Sequence, residues 1–264
     1  MEHSIIDAHI HLDLYHAAEQ AIILKDMKKY GVQALISVSQ HLASAQANLS
    51  LSQKDNRIKP AFGFHPEQAL PGEKELNELK LFIEKHHAEM AAIGEVGLPY
   101  YLRKKDSRIP IEPYIEILEQ FIWQAVALNK PIVLHAVHED APIVCTLLEK
   151  HSITKAHFHW FKGDQKTMEQ MTSNGYFVSI TPDVLYEQKT QQLVKQYPLS
   201  HMMVETDGPW SFEGPFKRKM THPKMIHHTI EKIASIKKTE AQEVYDILYE
   251  NTKQFYFQLV DPVE

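Results

Sequence analysis

The sequence predicts an α/β fold, a (β/α)8 TIM barrel of the metal-dependent hydrolase type, and three observations carry that expectation. Short β-type runs alternate with longer helical runs eight times along the chain. Such alternation gives a parallel sheet, and eight is the number that closes a barrel. The 264 residues match the usual span of that barrel as one domain, here 1–264. No Gly-rich phosphate fingerprint follows the first β-type run, which disfavours a doubly wound open sheet.

The β-type runs are Ser4–His11, Gln33–Ser39, Lys59–Phe64, Ala91–Gly97, Pro131–His135, Lys155–His159, Tyr176–Ile180 and His201–Asp207. Helical periodicity covers Ala17–Tyr30, Leu42–Gln53, Glu73–His87, Pro113–Asn129 and Ala141–Lys150. It returns over Asp164–Asn174, Tyr186–Gln196, His222–Ile236 and Glu240–Gln258. Two stretches break the rhythm and read as loops. Pro99–Pro113 carries Arg103, Lys104, Lys105 and Arg108, and Gly208–Pro223 carries Lys217, Arg218 and Lys219. Both follow strands, so a barrel places them on the C-terminal face, where active sites are built. No repeat of fixed period divides the chain.

Composition narrows the function. At 44% hydrophobic and 23% charged the chain is neither disordered nor fibrous. No apolar run approaches the roughly 18 residues of a membrane span, and Met1-Glu2-His3 lacks the basic start of a signal peptide. The single cysteine, Cys145, excludes an intrachain disulfide framework and fits a cytoplasmic protein. It falls in a helical run, where a small buried residue is expected. With 28 basic against 34 acidic residues, charge alone does not mark a general nucleic-acid binder. No membrane contact and no obligate protein partner are implied. The unusual count is histidine, at 17.

Residues two apart on a strand share a face, so Asp7, His9 and His11 are expected to point into the barrel while Ile6, Ala8 and Ile10 pack outward. A barrel interior is normally apolar, and polar groups there need a partner that a cation supplies. Four other strand ends finish in a ligand type: Glu95, His135, His159 and Asp207. Strand ends converge on one mouth, where four histidines and two carboxylates form a metal site. Six donors exceed what one catalytic zinc uses, so two divalent cations are expected, Zn, Mn, Ni, Fe or Mg, with a carboxylate bridging. Such a centre generates a nucleophile from water at neutral pH, which is hydrolytic chemistry. His157 shares a face with His159 and remains an alternative ligand. His86-His87 and His227-His228 are adjacent on helices and diverge. Tyr100, Tyr101 and Trp210 fall on loops of the mouth, where an aromatic ring can stack on a base.

Taken in order, the motifs resemble the TatD-type metal-dependent hydrolases of the amidohydrolase-like barrel superfamily over nearly the whole chain. Asp7-Ala8-His9-Ile10-His11-Leu12-Asp13 is similar to D-x-H-x-H-L-D, Gly63-Phe64-His65-Pro66 to G-x-H-P, and Gly94-Glu95-Val96-Gly97-Leu98 to G-E-[IV]-G-L. His135 stands where the family has its fifth-strand histidine. His159-Trp160-Phe161-Lys162-Gly163 resembles H-x-F-x-G, and Glu205-Thr206-Asp207-Gly208-Pro209 resembles E-T-D-x-P. The resemblance implies one cation on His9, His11, Glu95 and Asp207 and a second on Glu95, His135 and His159, with Glu95 bridging. It implies that Asp207 orients or deprotonates the attacking water and that His65 contacts a substrate oxygen. The implied activity is hydrolysis of phosphate esters, most of all exonuclease-type cleavage of a nucleic acid end, with a small phosphoester as the other substrate.

Three positions depart from the family pattern. Pro99 replaces an Asp, Val137 replaces the Arg of H-x-R, and Thr221-His222-Pro223 stands for N-E-P. The missing Arg is a phosphate clamp. Substrate-binding cations are therefore expected from Arg103, Lys104 and Lys105 and from Lys217, Arg218 and Lys219. The same departure makes an amidohydrolase or lactonase acting on a C–N or C–O ester bond the alternative. A non-catalytic scaffold that kept the fold is a second alternative, disfavoured by so many buried donors.

Overall fold

Among the residues that the structure, a computed structural model, describes (3–257), eight parallel strands pair in chain order. They are β1 (Ile5–Ile10), β2 (Val32–Val38), β3 (Ile58–Phe62), β4 (Ala92–Gly97), β5 (Ile132–His135), β6 (Ala156–Phe158), β7 (Phe177–Ile180) and β8 (Met202–Val204). The residues 1–2 and 258–264 lie outside the described part, among them Gln258, the expected end of the last helix. The seam between β8 and β1 is closed by Asp207 N donating to His9 O at 2.9 Å and His11 N to Gly208 O at 2.7 Å. This is the expected TIM barrel.

The helices are α1 (Ala17–Asp26), α2 (Leu42–Lys54), α3 (Glu73–Lys85), α4 (Tyr100–Lys105), α5 (Glu112–Ala127), α6 (Asp140–Lys150), α7 (Gln165–Ser173), α8 (Gln188–Gln196), α9 (Ile226–Lys237) and α10 (Ala241–Phe257). Two of these start later than expected, because short 3-10 turns, Pro182–Leu185 and Pro223–Met225, precede α8 and α9. One element was not expected at all. The stretch Pro99–Pro113 is not wholly a loop, since α4 forms within it. The cause is remote: the Glu67 carboxylate accepts from Tyr101 N at 2.8 Å and Leu102 N at 2.6 Å, capping the helix from the loop after β3.

Two apolar layers hold the barrel. Leu35, Ile93, Ile132, Leu134, Phe158, Val178 and Ile180 pack under the helices. Ile6, Ala8, Ala34, Ile36, Ala61, Ala92, Val133 and Met203 come from six strands yet form one cluster, which places them in the lumen. Phe255 and Tyr256 of α10 close that lumen from below. The described helices include none long and apolar enough to cross a membrane.

The lumen corrects one expectation. Ile6 and Ala8 face inward, not outward, and Asp7 does not enter the mouth. Its carboxylate instead accepts from Thr206 N at 2.9 Å and Thr206 Oγ1 at 2.5 Å, stitching β1 to the chain after β8. The β1–β2 ladder shifts register between Asp7 and Ile10. A shift changes which residues share a face. Across it, Ile6 and Ala8 join the lumen cluster, and His9 and His11 reach the mouth. Simple alternation could not show this.

Candidate metal centre

Glu95 is the middle of the site, and the glycines around it explain how it gets there. A Cβ on Gly97 would sit 1.9 Å from His135 O, and one on Gly94 would sit 2.6 Å from the Val133 side chain. Only glycine lets β4 press this closely on β5. The β3–β4 and β4–β5 pairings then carry Glu95 into the mouth, where it is fully buried.

Its two oxygens face different partners. Oε2 lies 3.2 Å from His9 Nε2 and 3.4 Å from His11 Nε2. Asp207 Oδ1 lies 3.5 Å from each of the same nitrogens. Oε1 lies 2.9 Å from His135 Nδ1, 2.7 Å from His159 Nε2 and 3.4 Å from His65 Nε2. All but His65 are buried, and His65 is nearly so.

The first set fits a cation. His9 Nε2, Glu95 Oε2 and Asp207 Oδ1 are buried with no hydrogen-bond partner, a state that costs free energy unless something else satisfies them. Donors about 2.1 Å from a tetrahedral ion stand about 3.4 Å apart. The 3.2–3.5 Å separations just given are those edges, and too long for good hydrogen bonds. Glu95 Oε1, His135 Nδ1 and His159 Nε2, 2.7–3.3 Å from one another, offer a second set of the same donor types, and His65, Glu95 and His135 also converge closely enough to hold an ion.

The electrostatics agree. Burial alone would lower His11, but its contacts with Asp207 and Glu95 outweigh burial and raise it to about 9. Burial likewise opposes charge on Glu95, yet the His159 imidazole beside it holds its carboxyl well below the usual range. Two buried carboxylates facing buried imidazoles form a donor set that a cation would satisfy. His65 is pushed down to about 3, by burial first. Its Nδ1 accepts from Glu67 N at 3.2 Å, so the proton of the neutral ring sits on Nε2, facing the mouth.

His157 is not a ligand. Its Nδ1 is bonded to Tyr256 Oη at 2.7 Å and its Nε2 to Ser179 Oγ at 2.5 Å, below the site. Ser179 Oγ in turn donates to Glu205 Oε2. Glu205 Oε1 accepts from Trp160 N at 2.8 Å and stands 3.8 Å from His159 Nδ1. The E-T-D motif contains Glu205, and its place on the Asp207 face was the available signal, but no role attached to it. A carboxylate behind a ligating imidazole fixes the ring and raises its basicity. Glu67 stands behind His135 in the same way, 3.2 Å from its Nε2. Glu205→Gln is therefore expected to lower cation affinity roughly 10–100-fold in a chelator competition titration, with the fold intact by circular dichroism.

Above the donors opens a cavity of about 430 Å³, rimmed by Tyr101, Trp160 and Trp210. Val137 lines it, at the position of the family's clamp Arg. Of the six basic loop residues singled out from the sequence, only Lys105 reaches it. Arg103 is bonded to the buried Asp140 at 3.1 Å, and Lys104 lies over the Tyr100 ring. Lys217 pairs with Glu213, and Lys219 lines a separate cleft with Tyr30 and His222. Neither those two nor Arg218 lines the metal cavity.

The family model described as TatD related DNase matches residues 6–257. An uncharacterized metal-dependent hydrolase of Haemophilus influenzae is 40% identical over 253 residues, covering 96% of this chain and 99% of the relative. The human protein named deoxyribonuclease TATDN3 is 30% identical over 263 residues, covering 96% and 94%. Among solved structures, a TatD homologue from Escherichia coli superposes with a TM-score of 0.85 at 21% identity, covering 97% of this chain and 99% of that one.

Proposed function

The chain belongs to the TatD-related DNase family and is a metal-dependent hydrolase, and from that premise we propose that it is a two-metal phosphodiesterase that trims the end of a DNA strand. The observation that carries the proposal is Glu95, whose Oε2 and Oε1 each address a separate donor set. A divalent cation in each set would supply Lewis acidity, making water a nucleophile near neutral pH and neutralising phosphoryl charge.

The residues then divide the work. His9, His11, Glu95 and Asp207 would hold one cation, and Glu95, His135 and His159 would hold the other. Asp207 orients the attacking water and accepts its proton from the open side of the cavity. His65 presents its Nε2 proton to a non-bridging phosphoryl oxygen. Tyr101, Trp160 and Trp210 give a base faces to stack on. A cavity of about 430 Å³ has the size of a single small-ligand site. That size suits the end of a single strand better than a duplex.

Val137 favours one competing reading, hydrolysis of a neutral amide or lactone, because it donates no hydrogen bond to phosphate. One panel separates the two: an aryl phosphodiester, a labelled single-stranded oligodeoxynucleotide, a lactone and a cyclic amide. Phosphodiester cleavage that stops with chelator and returns with Mn or Zn is the expected result. Turnover confined to the lactone or amide would overturn it.

A further inference from the structure

A second cavity, of about 220 Å³, adjoins the metal cavity and is lined by His138, Phe161, Lys162, Gly163 and Lys189 among others. The two share a wall. Val137 and Trp160 face the metal side, and their chain neighbours His138 and Phe161 face the other. Left-handed backbone at His138 (φ 53°) and Trp160 (φ 37°) turns the chain so that adjacent residues serve different cavities. His138 N donates to Lys162 O, which ties the two loops together.

The charge there has one dominant sign. Lys162 and Lys189 line the cavity, and Lys104, on the neighbouring α4, joins them in bearing on His138, with Glu139 as the opposing acid. Among the described residues none of the three lysines forms an ion pair with a carboxylate. The Lys162 ammonium sits 4.6 Å from the centre of the Trp160 ring, at the crest of the wall. It lines the second cavity and not the metal cavity. Uncompensated cations beside a phosphoester-cleaving centre form an electrostatic track for a polyanion.

We propose that this second cavity holds the phosphate next along the strand from the one cleaved. The proposal rests on the phosphodiesterase reading of the metal cavity. It also places recognition on lysines dispersed in sequence, Lys162 in the loop after β6 and Lys189 at the start of α8.

The test uses metal-loaded protein, wild type and Lys162→Ala/Lys189→Ala. Binding of a fluorescein-labelled phosphorothioate hexanucleotide is followed by anisotropy between low and moderate salt. Turnover of an aryl phosphodiester is measured in parallel. The double variant is expected to bind the hexanucleotide roughly tenfold more weakly, with a log–log salt slope shallower by about 0.7 per lost phosphate contact. Its aryl diester kinetics should stay within twofold of wild type. Unchanged hexanucleotide affinity and slope, or equal losses on both probes, would overturn the subsite. Failure of the underlying reading looks different: wild type would bind the hexanucleotide through these lysines, and the subsite would stand, yet no phosphodiester would be cleaved.

Discussion

Glu95→Gln should release both cations and lower kcat on a phosphodiester by roughly 10³-fold or more. The substitution keeps the shape of the side chain and removes its charge, so the loss reports on the bridge. Each donor set loses its shared carboxylate oxygen, whereas His135→Ala removes a donor from one set only. Elemental analysis after gentle purification should give close to two equivalents for wild type, about one for His135→Ala, and less than one for Glu95→Gln. Retention of both ions by Glu95→Gln would show that the two oxygens do not serve two centres. A single ion in replete wild type would do the same.

Asp207→Asn should lower kcat roughly 10²–10⁴-fold, the range for loss of a positioned general base, with KM changed far less. Asparagine keeps an oxygen where Asp207 Oδ1 stands 3.5 Å from His9 and His11, so the first cation weakens while the second set is untouched. The separating measurement is a rate profile from pH 7 to 9 at saturating metal. If Asp207 takes the proton from water, hydroxide from solution replaces it and the deficit narrows as pH rises. A deficit constant across that range, with the first cation lost, would make Asp207 a ligand and nothing more.

The cage was legible in the sequence because its donors close apolar runs: Glu95 after Ala91-Ala92-Ile93-Gly94, and His135 after Ile132-Val133-Leu134. A run ending in a ligand type needs no tertiary knowledge. Asp7 misled, since alternation assumes a regular ladder and the β1–β2 register shift breaks it. Helix α4 was hidden because its cap, Glu67, is 34 residues from Tyr101. The basic clusters show a third limit. Consecutive residues on a short helix point in different directions, so Arg103 meets Asp140 while Lys105 meets the cavity. Lys162 of a loop and Lys189 of the first turn of α8 line one cavity, and nothing local announces it.

The hydrogen bonds below the cage have a consequence for the whole barrel. From Tyr256 in the last turn of α10 the contacts run through His157, Ser179 and Glu205 to the back of His159. Linkage between two ends of such a chain is reciprocal. Whatever the floor residues contribute to holding His159 in place, a cation on His159 returns to the floor in equal measure. A cation on His159 would thus be linked to the plug under the lumen, and chelation is expected to lower the melting temperature as well as turnover.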